Sequence, residues 1–358
     1  MGKKISSLEG LRTIGWIGIF ICHFKGAFMS GMHIWTDSTP LRFIYSGNPY
    51  VRLFFVISGF VASYKYWVDS QKVNLCYDAV KRYFRLMPSI LMAEFVVCIC
   101  MKCGLLKNAV VAPIVGSENF LGAFNQFEPN IRLCLKEALY QTYLFEGNAY
   151  IGPLWTMVYE FLGTLLVIAV LAIMGKSKWR IAFYALFLIT YNGYYNYFVV
   201  GMIISDLLVN GGIREKLCSK EWICLILFGV GYYMVSMLPL DDSNKLSRVG
   251  FSFGLVLFMC GIVSSNLAEK VLGNRLMIEG GRLSYSAYIV HWLIIEILTC
   301  GLFLALQEQI TSYKILVCIL AIITFISIVI MSELLSKVAE PISGMIIRKA
   351  GLIEKKLV

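Results

Sequence analysis

The chain has 358 residues, of which 58% are hydrophobic and only 15% are charged, with a formal net charge of +10. A soluble domain is closer to half apolar and about a quarter charged, and the apolar residues here come in long blocks, so an ordinary soluble domain is excluded. The positive charge is scattered over loops and both ends, which argues against nucleic-acid binding and indicates a membrane-topology signal.

Apolar blocks of about 17–25 residues predict membrane-spanning helices. Lipid offers no hydrogen-bond partners, so the backbone N–H and C=O groups of such a segment must bond to one another within a helix. We therefore predict an all-α membrane protein, a polytopic bundle of about ten transmembrane helices. The predicted spans lie near residues 13–30, 50–67, 88–104, 153–174, 180–192, 195–210, 221–239, 249–265, 284–305 and 314–334. The fifth and sixth spans are short because a turn rich in Tyr and Asn, at residues 191–196, divides them.

Basic residues orient this bundle. With the N-terminus in the cytoplasm, every inner segment carries at least three basic residues, as the positive-inside rule expects, and an even number of spans returns the C-terminus to the cytoplasm. We expect a single transmembrane domain over residues 1–358 in the plasma membrane, with one large outer segment at about residues 105–150. No small-residue cleavage site follows Lys3 and Lys4, so the first helix is expected to be retained.

No metal or redox cofactor is expected from the motifs. The eleven cysteines are spread along the spans, a distribution typical of packing in a membrane core. Cys100 and Cys103 have C-x-x-C spacing but lack a partner pair, and there is no zinc pattern, phosphate-binding loop or dinucleotide-binding glycine motif.

Ionisable residues inside a span are costly, so each is a candidate functional residue. Arg12 and His23 are eleven residues apart on the first span, which is three helical turns plus roughly 20°, so both lie on one face about 16 Å apart. Arg12 falls at the cytoplasmic edge and His23 in the outer half. The shared face favours a functional role for His23; the alternative is a snorkelling arginine and a hydrogen-bonded core histidine.

Two further groups lie at opposite ends of later spans. Arg82 and Arg85 precede the third span on the inner side. They fit either an ordinary positive-inside loop or a grip on phosphate groups, which forked guanidinium groups suit. Trp155 and Glu160 open the fourth span from the outside, with Glu160 about 10 Å into the helix. A buried acid must be protonated or paired, so Glu160 is either a packing partner or a functional group.

The ninth span carries a polar face. Ser284, Tyr288 and His291 follow one another at i, i+4 and i+7, which places them on one side of a helix. His291 lies roughly 10–12 Å from the inner surface, and interhelical hydrogen bonding is the alternative to function. No serine has a convincing His/Asp triad; Ser58, in an apolar helix, is expected at a helix–helix contact.

These segments, in this order, resemble the acyltransferase-3 family of integral membrane O-acyltransferases. The residues similar to its motifs are Leu8-Glu9-Gly10-Leu11-Arg12 with His23 (L-D-G-L-R and Arg-x10-His), Leu53 to Phe60 (the second-helix block), Arg82 to Pro88 (R-x-x-R-x-x-P), Trp155 to Glu160 (W-S-L-x-x-E), Ser284 to Trp292 (S-Y-x-x-Y-x-x-H-W) and Glu340-Pro341 (E-K-P). Glu9 replaces Asp, Thr156 replaces Ser and the lysine before Pro341 is missing. Arg52 stands where the family often has an acid, so no acceptor preference is transferred from relatives.

The resemblance implies transfer of an acyl group, most often acetyl, from cytoplasmic acyl-CoA to a hydroxyl of a carbohydrate or glycolipid acceptor at the outer face. It also implies an acetyltransferase type, and the optional C-terminal esterase-like domain of the family is expected to be absent because the sequence ends soon after the tenth span. The carried-over site residues are the catalytic group His23, Glu160 and His291, and the substrate-binding group Arg12, Arg82, Arg85, Trp155, Ser284 and Tyr288. Arg12, Arg82 and Arg85 would receive the donor at the inner entrance.

The mechanistic hypothesis makes His23 the general base for the acceptor hydroxyl, with Glu160 orienting it and His291 or Tyr288 stabilising the oxyanion. An acyl-histidine intermediate is the competing route. The alternative function is a transporter or flippase for a lipid-linked or small polar substrate, which predicts inverted repeats that the sequence does not show. A sensor or scaffold would not need Arg12 and His23 on one face. The acceptor, the acyl group and the oligomeric state are left open.

Overall fold

A computed structural model describes residues 5–31, 35–238 and 244–357, apart from the side chains at 35, 37, 350 and 352–357, and these residues form helices and turns with no strand. The first eight helices are α1 Ser7–Phe28, α2 Gly47–Val68, α3 Leu75–Lys102, α4 Asn108–Val115, α5 Ile131–Lys136, α6 Thr142–Leu144, α7 Thr156–Met174 and α8 Arg180–Thr190. The others are α9 Tyr195–Val209, α10 Ile213–Cys218, α11 Glu221–Met237, α12 Lys245–Ser264, α13 Asn266–Leu272, α14 Arg275–Ile294, α15 Cys300–Leu306 and α16 Tyr313–Leu357.

Irregular helical turns join several of these elements. A π-helical segment at Glu137–Gln141 links α5 to α6, and a second at Ile295–Thr299 links α14 to α15. A 3-10 turn at Gly152–Trp155 leads directly into α7. Because π-helical insertions are rare and concentrate at functional sites, the one at Ile295–Thr299, close to His291, marks a region of interest.

A helix occupies each of the ten predicted spans. Within the described ranges, five helical segments are long and apolar enough to cross a membrane, namely Leu75–Lys102, Gly152–Met174, Lys245–Ser264, Arg275–Leu306 and Tyr313–Lys349. Helices α8, α9 and α11 are apolar but shorter, and α1 and α2 carry the charged residues Arg12 and Arg52. The all-α membrane class is therefore confirmed, whereas the count of ten spans and the cytoplasmic termini stay predictions.

Helix ends depart from the predicted spans where polar contacts extend a helix. Helix α1 begins at Ser7 rather than near residue 13, because the Glu269 carboxylate accepts the backbone N–H groups of Ser6 and Ser7 at 2.9 and 3.0 Å. Such donors have no partner within the helix itself. Burial opposes ionisation of Glu269, but these donated hydrogen bonds outweigh it and lower its pKa. Helix α16 likewise continues beyond the predicted apolar end, through Pro341.

The chain divides into two compact units, each assembled from separate stretches. Unit one comprises Met1–Gly18, Ile34–Ala79 and Tyr159–Arg282, and unit two comprises Ile19–His33, Val80–Val158 and Leu283–Val358. This division into compact units does not test the prediction of a single transmembrane domain, which therefore stays a prediction.

Unit one is built on close helix pairs. At Gly59 of α2 an added Cβ would lie 2.1 Å from the Phe198 carbonyl oxygen, and at Gly201 of α9 it would lie 2.1 Å from that of Val56. Glycine is required at both positions because the two backbones are in direct contact, as in other membrane helix pairs. The Leu53–Phe60 motif therefore serves packing of α2 against α9.

In unit two, the predicted outer segment contains several short helices. Ile131 to Leu144, an amphipathic stretch in the sequence, is helical as α5, a π turn and α6. Glu137 in this stretch accepts the backbone N–H groups of Ala149 at 3.1 Å and Tyr150 at 3.3 Å. Burial raises the pKa of Glu137 despite these two hydrogen bonds.

Candidate active site

Two histidines from distant parts of the chain meet in unit two. His23 Nδ1 on α1 lies 2.6 Å from His291 Nε2 on α14, with the ring centroids 4.9 Å apart and the ring planes within 14°. His291 is 1% exposed, whereas His23 keeps accessible surface. His23 is therefore the more exposed of the two histidines, and His291 is the more deeply buried.

The hydrogen bond of His291 Nδ1 determines which nitrogens of the two histidine rings carry protons. His291 Nδ1 lies 2.7 Å from the Tyr288 carbonyl oxygen one turn earlier in α14. A carbonyl only accepts hydrogen bonds, so His291 Nδ1 carries a proton, and the Nε2 of a neutral ring is an acceptor. His23 Nδ1 then donates to it, because two lone pairs 2.6 Å apart would repel. This tautomer, inferred from the hydrogen-bond pattern, leaves a lone pair on His23 Nε2.

Tyr288 is fixed by a second set of hydrogen bonds. Its hydroxyl donates to the Pro153 carbonyl oxygen at 2.6 Å and lies 2.8 Å from the Thr156 Oγ1. A phenol has one proton, so the proton given to Pro153 is not available elsewhere. Thr156 Oγ1 also lies 3.3 Å from the same Pro153 carbonyl oxygen, to which it can donate. Thr156, where the family motif has Ser, thus ties the start of α7 to α14 within unit two, and Trp155 lies half-buried in the preceding turn.

Aromatic side chains enclose His23. The centroid of the Phe120 ring is 6.0 Å from that of His23, and the Trp292 ring meets His23 edge-on at 5.4 Å. Phe124 contacts the far side of this group, 4.8 Å from Trp292. Phe120 and Phe124 come from the predicted outer segment, for which the sequence pattern indicated no role at the site.

Glu296 anchors this part of the outer segment and was not among the predicted site residues. It is fully buried in the π segment five residues after His291, and both carboxyl oxygens accept from Asn125 Nδ2, at 2.9 and 3.0 Å. Asn125 has φ = 59°, a left-handed conformation that asparagine tolerates better than most residues. The only signal in the sequence was an acid within an apolar span, the criterion already applied to Glu160.

The arginine pair lies in the same unit as the histidines. Arg82 is half-buried and Arg85 is exposed on α3. The Tyr285 hydroxyl on α14 donates to the carbonyl oxygen of Leu86, the residue after Arg85, at 2.7 Å. Tyr285 precedes His291 by six residues, or about 9 Å along α14. Helix α14 therefore extends from the neighbourhood of Arg82 and Arg85 to the histidine pair. The spacing of residues in the sequence did not predict this connection.

The remaining candidates have other surroundings. Arg12 and Glu160 belong to unit one, where Arg12 Nη1 lies 3.0 Å from the Glu9 carboxylate and Ser58 donates to Glu160 at 2.6 Å. The expectation that Ser58 serves a helix–helix contact is confirmed. Helix α1 runs unbroken through the positions of both Arg12 and His23, and Ser284 is buried on α14 in unit two.

Comparisons with known proteins identify the family. A family model described as an acyltransferase domain, of the acyltransferase-3 type, matches residues 5–333. The O-acetyltransferase OatA of Staphylococcus aureus, in strains NCTC 8325 / PS 47 and COL, is 24% identical over 333 residues, which cover 82% of this chain and 51% of that protein. The chain thus spans about half the length of the curated relatives it matches. No solved structure gives a significant match. Since the family match covers nearly all of the described chain, the protein belongs to the acyltransferase-3 family, as its motifs predict.

Proposed function

We propose that this acyltransferase moves an acetyl group from cytoplasmic acetyl-CoA to a hydroxyl of a carbohydrate or glycolipid acceptor at the outer face of the plasma membrane. The family supports acyl transfer, and the likeness to an O-acetyltransferase supports acetyl and a hydroxyl acceptor. The observation that carries the proposal is the His23–His291 pair, whose hydrogen bonds leave a lone pair on Nε2 of His23, the more exposed of the two histidines.

In the proposed reaction, His23 Nε2 removes the proton of the acceptor hydroxyl while its oxygen attacks the thioester carbonyl carbon. The new C–O bond forms, the C–S bond breaks, and the proton on His23 passes to the departing thiolate of CoA. Positioned general bases typically contribute about 10²–10⁴-fold to a rate. In the competing route the same nitrogen attacks the thioester and carries the acyl group.

We assign His291 and Tyr288 to positioning rather than to the oxyanion. Both nitrogens of His291 and the hydroxyl proton of Tyr288 already take part in hydrogen bonds within unit two. A group whose proton is committed elsewhere cannot also donate to a developing oxyanion. Orientation of His23 by Glu160 stays a hypothesis, because the hydrogen bond described for Glu160 is the one from Ser58.

Arg85→Ala is expected to weaken donor binding. If Arg85 and Arg82 bind the phosphates of acyl-CoA, loss of one charged hydrogen-bond donor costs about 1.5 kcal/mol, or roughly a tenfold rise in KM for acetyl-CoA, with kcat changed less. Steady-state kinetics in membrane vesicles measure this. Lys81→Ala is the matched control, since it removes a positive charge from the same turn of α3, and an Arg85→Ala variant with unchanged KM would contradict the role in donor binding.

The sidedness of the reaction tests the proposed function itself. Acetyl-CoA does not cross a bilayer, so everted vesicles containing the full chain are expected to consume labelled acetyl-CoA and to place the label on a glycan or glycolipid. Intact right-side-out vesicles are expected to do neither. Mass spectrometry of surface glycans with and without the gene then identifies the acceptor. Substrate movement without thioester consumption would favour the transporter, and consumption by right-side-out vesicles would contradict a cytoplasmic donor.

A further inference from the structure

The position of His23 confines where the acyl chain of the donor can lie. The acceptor oxygen must be within hydrogen-bond distance of His23 Nε2, about 3 Å, and the thioester carbon within about 3 Å of that oxygen. The first carbons of the acyl chain therefore lie within one ring diameter or so of His23. Phe120 at 6.0 Å and Trp292 at 5.4 Å are the aromatic walls there.

Of these two rings, Phe120 is the one with free surface. Trp292 is 1% exposed and packs between Phe120 at 5.4 Å and Phe124 at 4.8 Å. Phe120 keeps accessible surface, as His23 does. Phe120 is therefore the aromatic wall beside His23 that an acyl chain can contact, and the buried Trp292 packs against it.

Phe120 cannot move aside easily. At Gly26, one helical turn after His23, an added Cβ would lie 2.7 Å from the Phe120 ring, so the ring rests on the backbone of α1. Ser117 Oγ donates to the Gly26 carbonyl oxygen at 2.8 Å, and Asn108 Nδ2 donates to that of Leu121 at 3.1 Å. These anchors precede and follow Phe120 in the chain, which makes the ring a stiff wall.

We propose that Phe120 is a specificity-determining residue that limits the transferred group to an acetyl-sized chain. This inference rests on the proposed function and names the acyl specificity of the same site. A longer acyl chain has to displace the Phe120 ring. That ring rests on Gly26, and hydrogen bonds at Ser117 and Leu121 anchor the backbone on either side of it. Shortening the side chain opens space for further methylene groups, each of which favours binding once it has an apolar site.

The test is a competition between two donors, acetyl-CoA and butanoyl-CoA, in everted vesicles containing the full chain and its endogenous acceptor. The ratio of the two His23-dependent consumption rates is measured for the wild type, Phe120→Ala and Phe120→Leu. The ratio does not depend on how much of a variant is folded, and Phe120→Leu retains most of the packing. Phe127→Ala is the matched control, because Phe127 lies in the same segment but packs on Tyr150 at 5.1 Å.

We expect the butanoyl-to-acetyl ratio to rise on the order of tenfold or more in Phe120→Ala, to rise less in Phe120→Leu, and to stay at the wild-type value in Phe127→Ala. An unchanged ratio in both Phe120 variants would overturn the inference while leaving the proposed function intact. Equal rises in the Phe120 and Phe127 variants would overturn it as well, since the effect would then be a general loosening. If the wild type consumes neither thioester, the proposed function is contradicted, and the inference that rests on it is overturned with it.

Discussion

Replacing His23 with alanine is expected to abolish acyl transfer in a chain that still folds and inserts. The substitution removes the only nitrogen that the hydrogen-bond pattern leaves with a lone pair at the histidine pair. A fall in kcat/KM for acetyl-CoA of about 10²–10⁴-fold is expected, the range typical of a lost general base. Consumption of labelled acetyl-CoA in everted vesicles, at equal amounts of inserted protein, measures it.

His23→Gln separates the base from the shape of the side chain. Glutamine can still hydrogen-bond to His291 but has no basic nitrogen, so the loss is expected to be as deep as in His23→Ala. Phe24→Leu is the control for packing on α1, because Phe24 is buried next to His23 between Phe20 and Phe28. It is expected to lower stability with the chemistry retained. A His23→Ala variant with wild-type turnover would remove the central residue of the proposal.

The two chemical routes through His23 differ in what accumulates. If His23 is a base, acetyl-CoA without acceptor leaves the protein unmodified; if it is a nucleophile, an acyl group becomes attached to the imidazole. Intact-mass spectrometry of the protein after a short incubation with acetyl-CoA distinguishes the two. We expect no added acyl mass, because in the proposed reaction His23 Nε2 takes the proton of the acceptor hydroxyl and forms no bond to the acyl carbon.

Features with local signals could be predicted from the sequence. Helix positions follow from blocks of apolar residues, and the break near Tyr191 between the fifth and sixth spans appears as the gap between α8 and α9. His23 and His291 were candidates because a charge or a titratable ring in lipid is costly whatever it touches. These arguments need only the residue and its neighbours along the chain.

Contacts over long sequence separations had no such signal. His23 and His291 are 268 residues apart and Asn125 and Glu296 are 171 apart, so neither pair can be found from spacing on one helix. The role of Phe120 depends on the backbone path of the outer segment, including a left-handed residue at Asn125. Hydropathy shows that this segment leaves the membrane core but not where it returns, which is why its contacts with His23 were missed.

Removing the imidazole of His291 is the second large effect that we expect. In His291→Leu, His23 loses the acceptor of its Nδ1–H and can adopt the tautomer with the proton on Nε2, which is not a base at the reacting position. In serine proteases, loss of the correct histidine tautomer lowers turnover by orders of magnitude. We expect kcat to fall at least about a hundredfold, with KM for acetyl-CoA nearly unchanged, since His291 is assigned no contact with the donor.

His291→Gln tests whether the hydrogen bond or the bulk of His291 matters. The amide oxygen of glutamine can accept from His23 Nδ1–H, so His291→Gln is expected to recover activity to within roughly tenfold of the wild type. Ile289→Val is the matched control for packing, because Ile289 is fully buried on the same helix and its truncation costs about 0.5–1.5 kcal/mol without touching a hydrogen bond. Its kcat is expected to stay at the wild-type value. If His291→Gln were as inactive as His291→Leu at equal folded protein, or if KM rose instead of kcat falling, His291 would not act by fixing the tautomer of His23.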